Sequence, residues 1–153
     1  LRLFICKQSI MFSKTCEYAI RASIFIAKQS YENKRTTICE ISENIGSPKS
    51  FTAKILQILA KKEIVHSVKG IGGGFEIPKE YINKISLAQI VDAIDGENIY
   101  KGCGLGTNHC SEKHPCPLNK RFKSIREDLA KMLKTTYLEE LVFDINSGES
   151  FLI

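Results

Sequence analysis

Positions Cys16, Ala19, Ile20, Ser23, Ile24 and Ala27 recur at intervals of three and four, behind a Ser13 whose hydroxyl can cap a first turn. That period predicts a helix over residues 13–29. After the polar connection 31–35, Thr37-Ile38-Cys39-Glu40 has the form of a capping box. Ile38, Ile41 and Ile45 continue it as one apolar stripe up to Gly46, which predicts a short second helix. Ser47-Pro48 signals a third start, with Phe51, Ile55, Leu56, Ile58 and Leu59 as its inward face. Residues 64–69 alternate as a strand, Gly70-Ile71-Gly72-Gly73-Gly74 forms a tight loop, and Phe75-Glu76-Ile77 returns as a second strand. Ser86-Leu87-Ala88-Gln89 caps another short helix, with Ile90, Val91 and Ile94 inward and Gly96 as its stop. Beyond Pro117, Leu118, Phe122, Ile125, Leu129, Met132 and Leu133 repeat at fours and threes among charged residues. This is a long amphipathic helix whose narrow apolar seam suits packing on a partner helix. Thr136-Tyr137-Leu138-Glu139 opens a last helix containing Leu141, Val142 and Ile145.

The fold class that follows is mainly α with a small β-hairpin. A short helix, a glycine turn, a second helix and an immediate hairpin make a winged helix-turn-helix over residues 11–80. Residues 81–153 hold a cysteine-containing loop and the long dimerisation helix. Residues 1–10 precede Met11 and are expected to be a leader or disordered arm; their apolar runs, broken by Arg2 and Lys7, are too short for a signal core or a membrane span.

Composition narrows the class further. With 153 residues, 43% hydrophobic and 25% charged, the chain is of ordinary globular make-up, one domain or one domain with an appended element. Its net charge of +5 is unevenly spread. Residues 11–80 carry eleven Lys and Arg against seven Asp and Glu, whereas residues 81–153 carry nine against ten. The basic front half suggests an anionic partner, which the winged helix-turn-helix makes double-stranded DNA, on a chain expected to be cytoplasmic and free of membrane. On the third helix, Lys49, Ser50, Thr52, Ala53 and Lys54 form the outer face, with small or hydrogen-bonding groups able to approach base edges. On the wing, Lys69 supplies charge, and Gly72 and Gly73 leave backbone N–H groups open to phosphate. The glycine loop is not a nucleotide-phosphate loop, because no Lys-Ser/Thr follows and no helix opens after it.

Three of the six cysteines, Cys103, Cys110 and Cys116, fall in one polar, glycine-bearing stretch. Glycines, Asn108, Ser111 and Pro115 keep that stretch out of regular structure, so it can fold around a small object with its sulfurs inward. Thiolates select zinc, copper(I) or an iron-sulfur cluster, and the wide spacing suits a cluster better than a single ion. A fourth ligand must come from His109, His114, an acidic side chain or another chain. Cys16 and Cys39 lie in apolar helical stripes and are expected in the core; Cys6 lies in the leader.

Tyr18-Ala19-Ile20-Arg21, the wing stretch 67–75 and Cys110-Ser111-Glu112-Lys113-His114-Pro115-Cys116-Pro117-Leu118 together resemble the Rrf-two family of bacterial winged-helix regulators, from Met11 to Phe143. The resemblance implies a homodimeric operator-binding repressor or activator. Its three cysteines would hold an iron-sulfur cluster, 2Fe-2S or 4Fe-4S, that responds to nitric oxide, oxygen or iron supply. Members with a two-iron cluster place a histidine three residues after the third cysteine, where this chain has Asn119. Other members use an acidic residue early on the first helix of the partner subunit, a position matched here by Glu17. In such a homodimer the apolar seam of Leu118, Phe122, Ile125 and Leu129 would pack against the second subunit. Clusterless members supply an alternative, regulation by thiol chemistry or by a ligand. A zinc or thiol enzyme is a third reading, opposed by the lack of a Cys-x-x-Cys pair and of an acid-base constellation.

Overall fold

The computed structural model describes residues 11–101 and 113–151. Eight helices and one hairpin follow in order among these residues. Helix α1 (Lys14–Tyr31) is the central element. It starts where Ser13, in an extended conformation, accepts the Cys16 N–H at 3.1 Å. Its buried positions Cys16, Ala19, Ala22, Ser23, Ile24, Ile26, Ala27 and Ser30 cover a wide face, because α1 is packed on several sides rather than along one stripe.

Helix α2 (Ile38–Ile45) has the anticipated capping box: Glu40 accepts the Thr37 N–H at 2.6 Å and Thr37 Oγ1 accepts the Glu40 N–H at 3.3 Å. Gly46, at φ 66°, ends it in the left-handed region. Helix α3 (Lys49–Lys61) follows after Pro48. An edge-on ring contact between Tyr18 and Phe51, with centroids 5.9 Å apart, joins α1 to α3.

The hairpin is shorter than expected. Glu63 takes φ 58° and the Ile64 N–H returns to Leu59 O at 3.0 Å, so Ile64 and Val65 finish the helix end and point into the core. Pairing is confined to β1 (His66–Val68) and β2 (Gly74–Glu76), antiparallel, with Ser67 opposite Phe75. Thr36 adds a one-residue third rung, exchanging both backbone hydrogen bonds with Phe75 at 3.0 and 2.8 Å. Ser30 Oγ accepts the buried Ile77 N–H at 3.0 Å, which fixes the returning strand on α1.

A one-turn helix not anticipated from the sequence, α4 (Lys79–Ile82), follows Pro78 and leads to α5 (Leu87–Ile94). The expected capping box is present at the start of α5, where the Ser86 N–H donates to Gln89 Oε1 at 2.8 Å. A second short element, α6 (Asn98–Lys101), precedes the undescribed loop; α7 (Asn119–Thr135) and α8 (Leu138–Ser147) complete the chain. The starts of α5 and α8 are tied together, Leu87 N–H to Thr136 O and Leu138 N–H to Ile85 O, each at 2.9 Å.

One core gathers Ile26, Ile41, Ile55, Leu56, Leu59, Ile77, Ile82, Ile90 and Leu138; a smaller cluster of Cys16, Ala88, Val91 and Leu133 joins α1, α5 and α7. Among the described residues, no helix is long and apolar enough to cross a membrane.

Candidate functional site

The turn at Gly46 sets α3 behind α2 and leaves Lys49, Ser50 and Lys54 exposed and Ala53 partly exposed. Thr52 departs from the expectation of an outer-face residue. It is fully buried and its hydroxyl donates to Pro48 O at 3.2 Å. The cause is helical period: Thr52 falls in line with Leu56 and Leu59 on the inward stripe, and the local carbonyl satisfies its one polar atom. Ile58, expected inward, is 37% exposed instead. Gln57, which the sequence reading passed over, is exposed one turn beyond Lys54 and widens the outer face.

Cys39 also departs from its expected core position. It lies in the first turn of α2 and is exposed. It neighbours Lys49, whose ammonium is held above the ordinary lysine range chiefly by its interaction with the Cys39 side chain.

On the wing, Lys69 and Gly72 are exposed. Gly73 is committed to the hairpin itself, which alters the expectation that its N–H is open to phosphate. That N–H donates to Gly70 O at 3.0 Å, and a Cβ at Gly73 would stand 2.3 Å from Val68 O. Arg35 braces the loop from below: it donates to Glu76 at 2.7 Å and to Gly72 O at 3.3 Å, and the Glu76 carboxylate raises its already high pKa further.

Of the expected metal ligands, Cys103 and Cys110 lie outside the described residues. Cys116 is partly exposed just ahead of α7, and its carbonyl accepts the Asn119 N–H at 3.0 Å. Glu17 sits in the first turn of α1, its side chain 26% exposed and paired with Lys14 at 2.9 Å. Such a solvent-screened pair is weak, so Glu17 can exchange it for another partner. Among the described residues, no three His, Cys, Asp or Glu side chains are grouped to hold a metal ion. Cys16 is fully buried, and burial, with Asp95 adding to it, pushes its pKa up to about 12, which favours the protonated thiol. The donor chemistry of the loop, soft thiolates with an accessible carboxylate in reserve, fits an iron-sulfur cluster.

On α7, Leu133 is buried, Leu118, Phe122 and Leu129 are partly buried, and Ile125 and Met132 are 60% and 44% exposed. The seam is thus turned outward at its middle.

A family model described as Rrf2, iron-dependent transcriptional regulator, matches residues 12–144, and the chain belongs to the Rrf2 (Rrf-two) family of transcriptional regulators. It is 28% identical over 125 residues to the HTH-type transcriptional regulator IscR of Xenorhabdus nematophila, covering 82% of this chain and 74% of that one. It is 26% identical over 130 residues to the HTH-type transcriptional regulator NsrR of Oceanobacillus iheyensis, covering 84% and 87%. The structure of CymR, the global cysteine regulator of B. subtilis, superposes with a TM-score of 0.70 at 18% identity, covering 86% of this chain and 95% of that one, which establishes the winged-helix fold.

Proposed function

We propose that this transcriptional regulator is a homodimeric operator-binding repressor gated by an iron-sulfur cluster. Cys103, Cys110 and Cys116 of one chain would hold the cluster, with Glu17 of the other chain as fourth ligand. The observation that carries the reading is that Cys116, just ahead of α7, and Glu17, in the first turn of α1, are each partly exposed, in a family described as iron-dependent. When bound, the cluster would supply a centre that nitric oxide, oxidants or iron shortage can dismantle. The chain's own part is mechanical. Glu17 lies on the helix that supports α2 and α3, so a ligand joining it to the loop of the partner subunit biases the separation of the two α3 helices. Such a ligand shifts operator affinity only by its different affinity for the two arrangements. On the DNA side, Ser50, Ala53 and Lys54 would face base edges while Lys49 and Lys69 meet phosphates.

A second reading, a clusterless thiol-sensing regulator, is favoured by one observation: Cys39 is exposed beside Lys49 at the start of α3. Anaerobic purification separates the two. Brown protein with iron and sulfide in the dimer supports the cluster. Colourless protein whose operator binding falls when Cys39 alone is oxidised supports the thiol reading.

A further inference from the structure

Ile71 is the most exposed large apolar side chain among the described residues, with a relative exposure of 109%. It stands at the tip of the wing between Gly70 at φ 92° and Gly72 at φ 73°. A tip that needed only to turn would be served by Asn, Asp or Gly; a β-branched hydrocarbon held clear of its own chain has nothing to gain there in water. The tip is also firmly built. The Gly73 N–H closes the loop onto Gly70 O, Arg35 holds Gly72 O, and a Cβ at Gly74 would lie 2.7 Å from Thr36 O, so the hairpin is seated against residue 36. The exposed Lys69 brings positive charge to the hairpin, whereas the guanidinium of Arg35 is paired with Glu76 and serves to hold the loop.

An apolar side chain carried on a narrow two-stranded hairpin beside an exposed lysine suits the minor groove of DNA, which is too narrow for a helix and in which proteins frequently insert Ile, Leu, Phe, Met or Pro. The groove floor differs between base pairs in one group. Guanine projects an amino donor there, whereas A·T pairs present acceptors alone. Hydrocarbon pressed on that floor would leave the guanine donor without a partner.

We propose that Ile71 enters the minor groove of the operator and selects A·T over G·C at the base pairs beneath the wing. This rests on the reading of the chain as a DNA-binding regulator, and the experiment keeps the two apart. A duplex is first enriched from a random-sequence pool with the purified full-length protein, and hydroxyl-radical footprinting locates the pairs under the wing. Those A·T pairs are then replaced by G·C or by inosine·C, which keeps the major-groove pattern of G·C but lacks the minor-groove amino group. Wild-type protein should bind the G·C duplex about tenfold more weakly and recover on inosine·C, a loss of the size expected for one mismatched pair. Ile71→Ser should bind all three duplexes within about twofold of one another, while Lys69→Ala should weaken all three alike and keep the preference. The inference is overturned if Ile71→Ser keeps the wild-type preference, or if inosine·C binds as weakly as G·C. Failure to enrich any duplex would instead remove the DNA-binding reading itself.

Discussion

Asp95 closes α5 on the start of α1: its carboxylate accepts the Ser13 backbone N–H at 2.9 Å and the Ser13 hydroxyl as well. The same Ser13 caps the turn that carries Glu17, and α5 leads through α6 to the cysteine loop. Within one subunit, the frame that enters the loop is thereby fastened to the helix bearing the proposed fourth ligand. Asp95→Ala removes both acceptors and should lower stability by about 1–2 kcal/mol, the value of a lost cap with its charge-assisted bond. Urea unfolding of the metal-free protein checks this, and an unchanged midpoint would show that the Ser13 contact contributes nothing.

The capping box of α2 makes a pH-dependent contribution. The Thr37 backbone N–H, and then its hydroxyl, hold the Glu40 carboxyl below the usual glutamate range. A depressed folded-state pKa stabilises the fold above the unfolded value of about 4.3 and loses that contribution as the pH falls through the folded value. Glu40→Gln keeps an acceptor and removes the charge. Its thermal midpoint should lie below that of wild type at pH 7 and converge with it near pH 3; a gap that stays constant over that range would count against the charged form.

Much of the DNA-binding half is readable from the chain because its signals are local. Ser13 and Thr37 each satisfy a helix-start donor within a few residues, and Gly46 supplies a left-handed stop. Errors arose where a longer-range or conformational fact decided. Thr52 is polar yet inward, since the Pro48 carbonyl pairs its hydroxyl. The strand begins late because Glu63 turns left-handed and sends Ile64 and Val65 inward. Cys39 shares its spacing with an apolar stripe but stands at the open first turn of α2. The elements α4 and α6, four residues each, are too short to show a period. For the metal centre, only Cys116 and Glu17 have described surroundings; Cys103 and Cys110 fall outside the described residues.

Thiol labelling distinguishes the cysteines. Cys39 should be alkylated by iodoacetamide in the folded protein, whereas Cys16, buried and with its pKa pushed up to about 12, should react only after unfolding. Peptide mapping by mass spectrometry reads both, and rapid labelling of Cys16 in the native protein would contradict its place in the core.

The outward seam of α7 is expected to meet a second copy. Phe122→Glu would bury an unpaired carboxylate in that contact at a cost of at least about 3 kcal/mol. Sedimentation at micromolar concentration should show a monomer. A persistent dimer would place the subunit contact elsewhere.

The most direct test of cluster gating compares operator binding by holo-protein, nitric-oxide-treated protein and Cys116→Ala, anaerobically and at one salt concentration, with Glu17→Ala alongside. Coupling of the usual size, about 1–3 kcal/mol, predicts that holo-protein differs from the other two by roughly fivefold or more. Glu17→Ala should retain the colour and lose it faster to nitric oxide, since three thiolates remain. Equal operator affinity in holo, treated and Cys116→Ala protein would contradict the account and leave the cysteine loop a structural element.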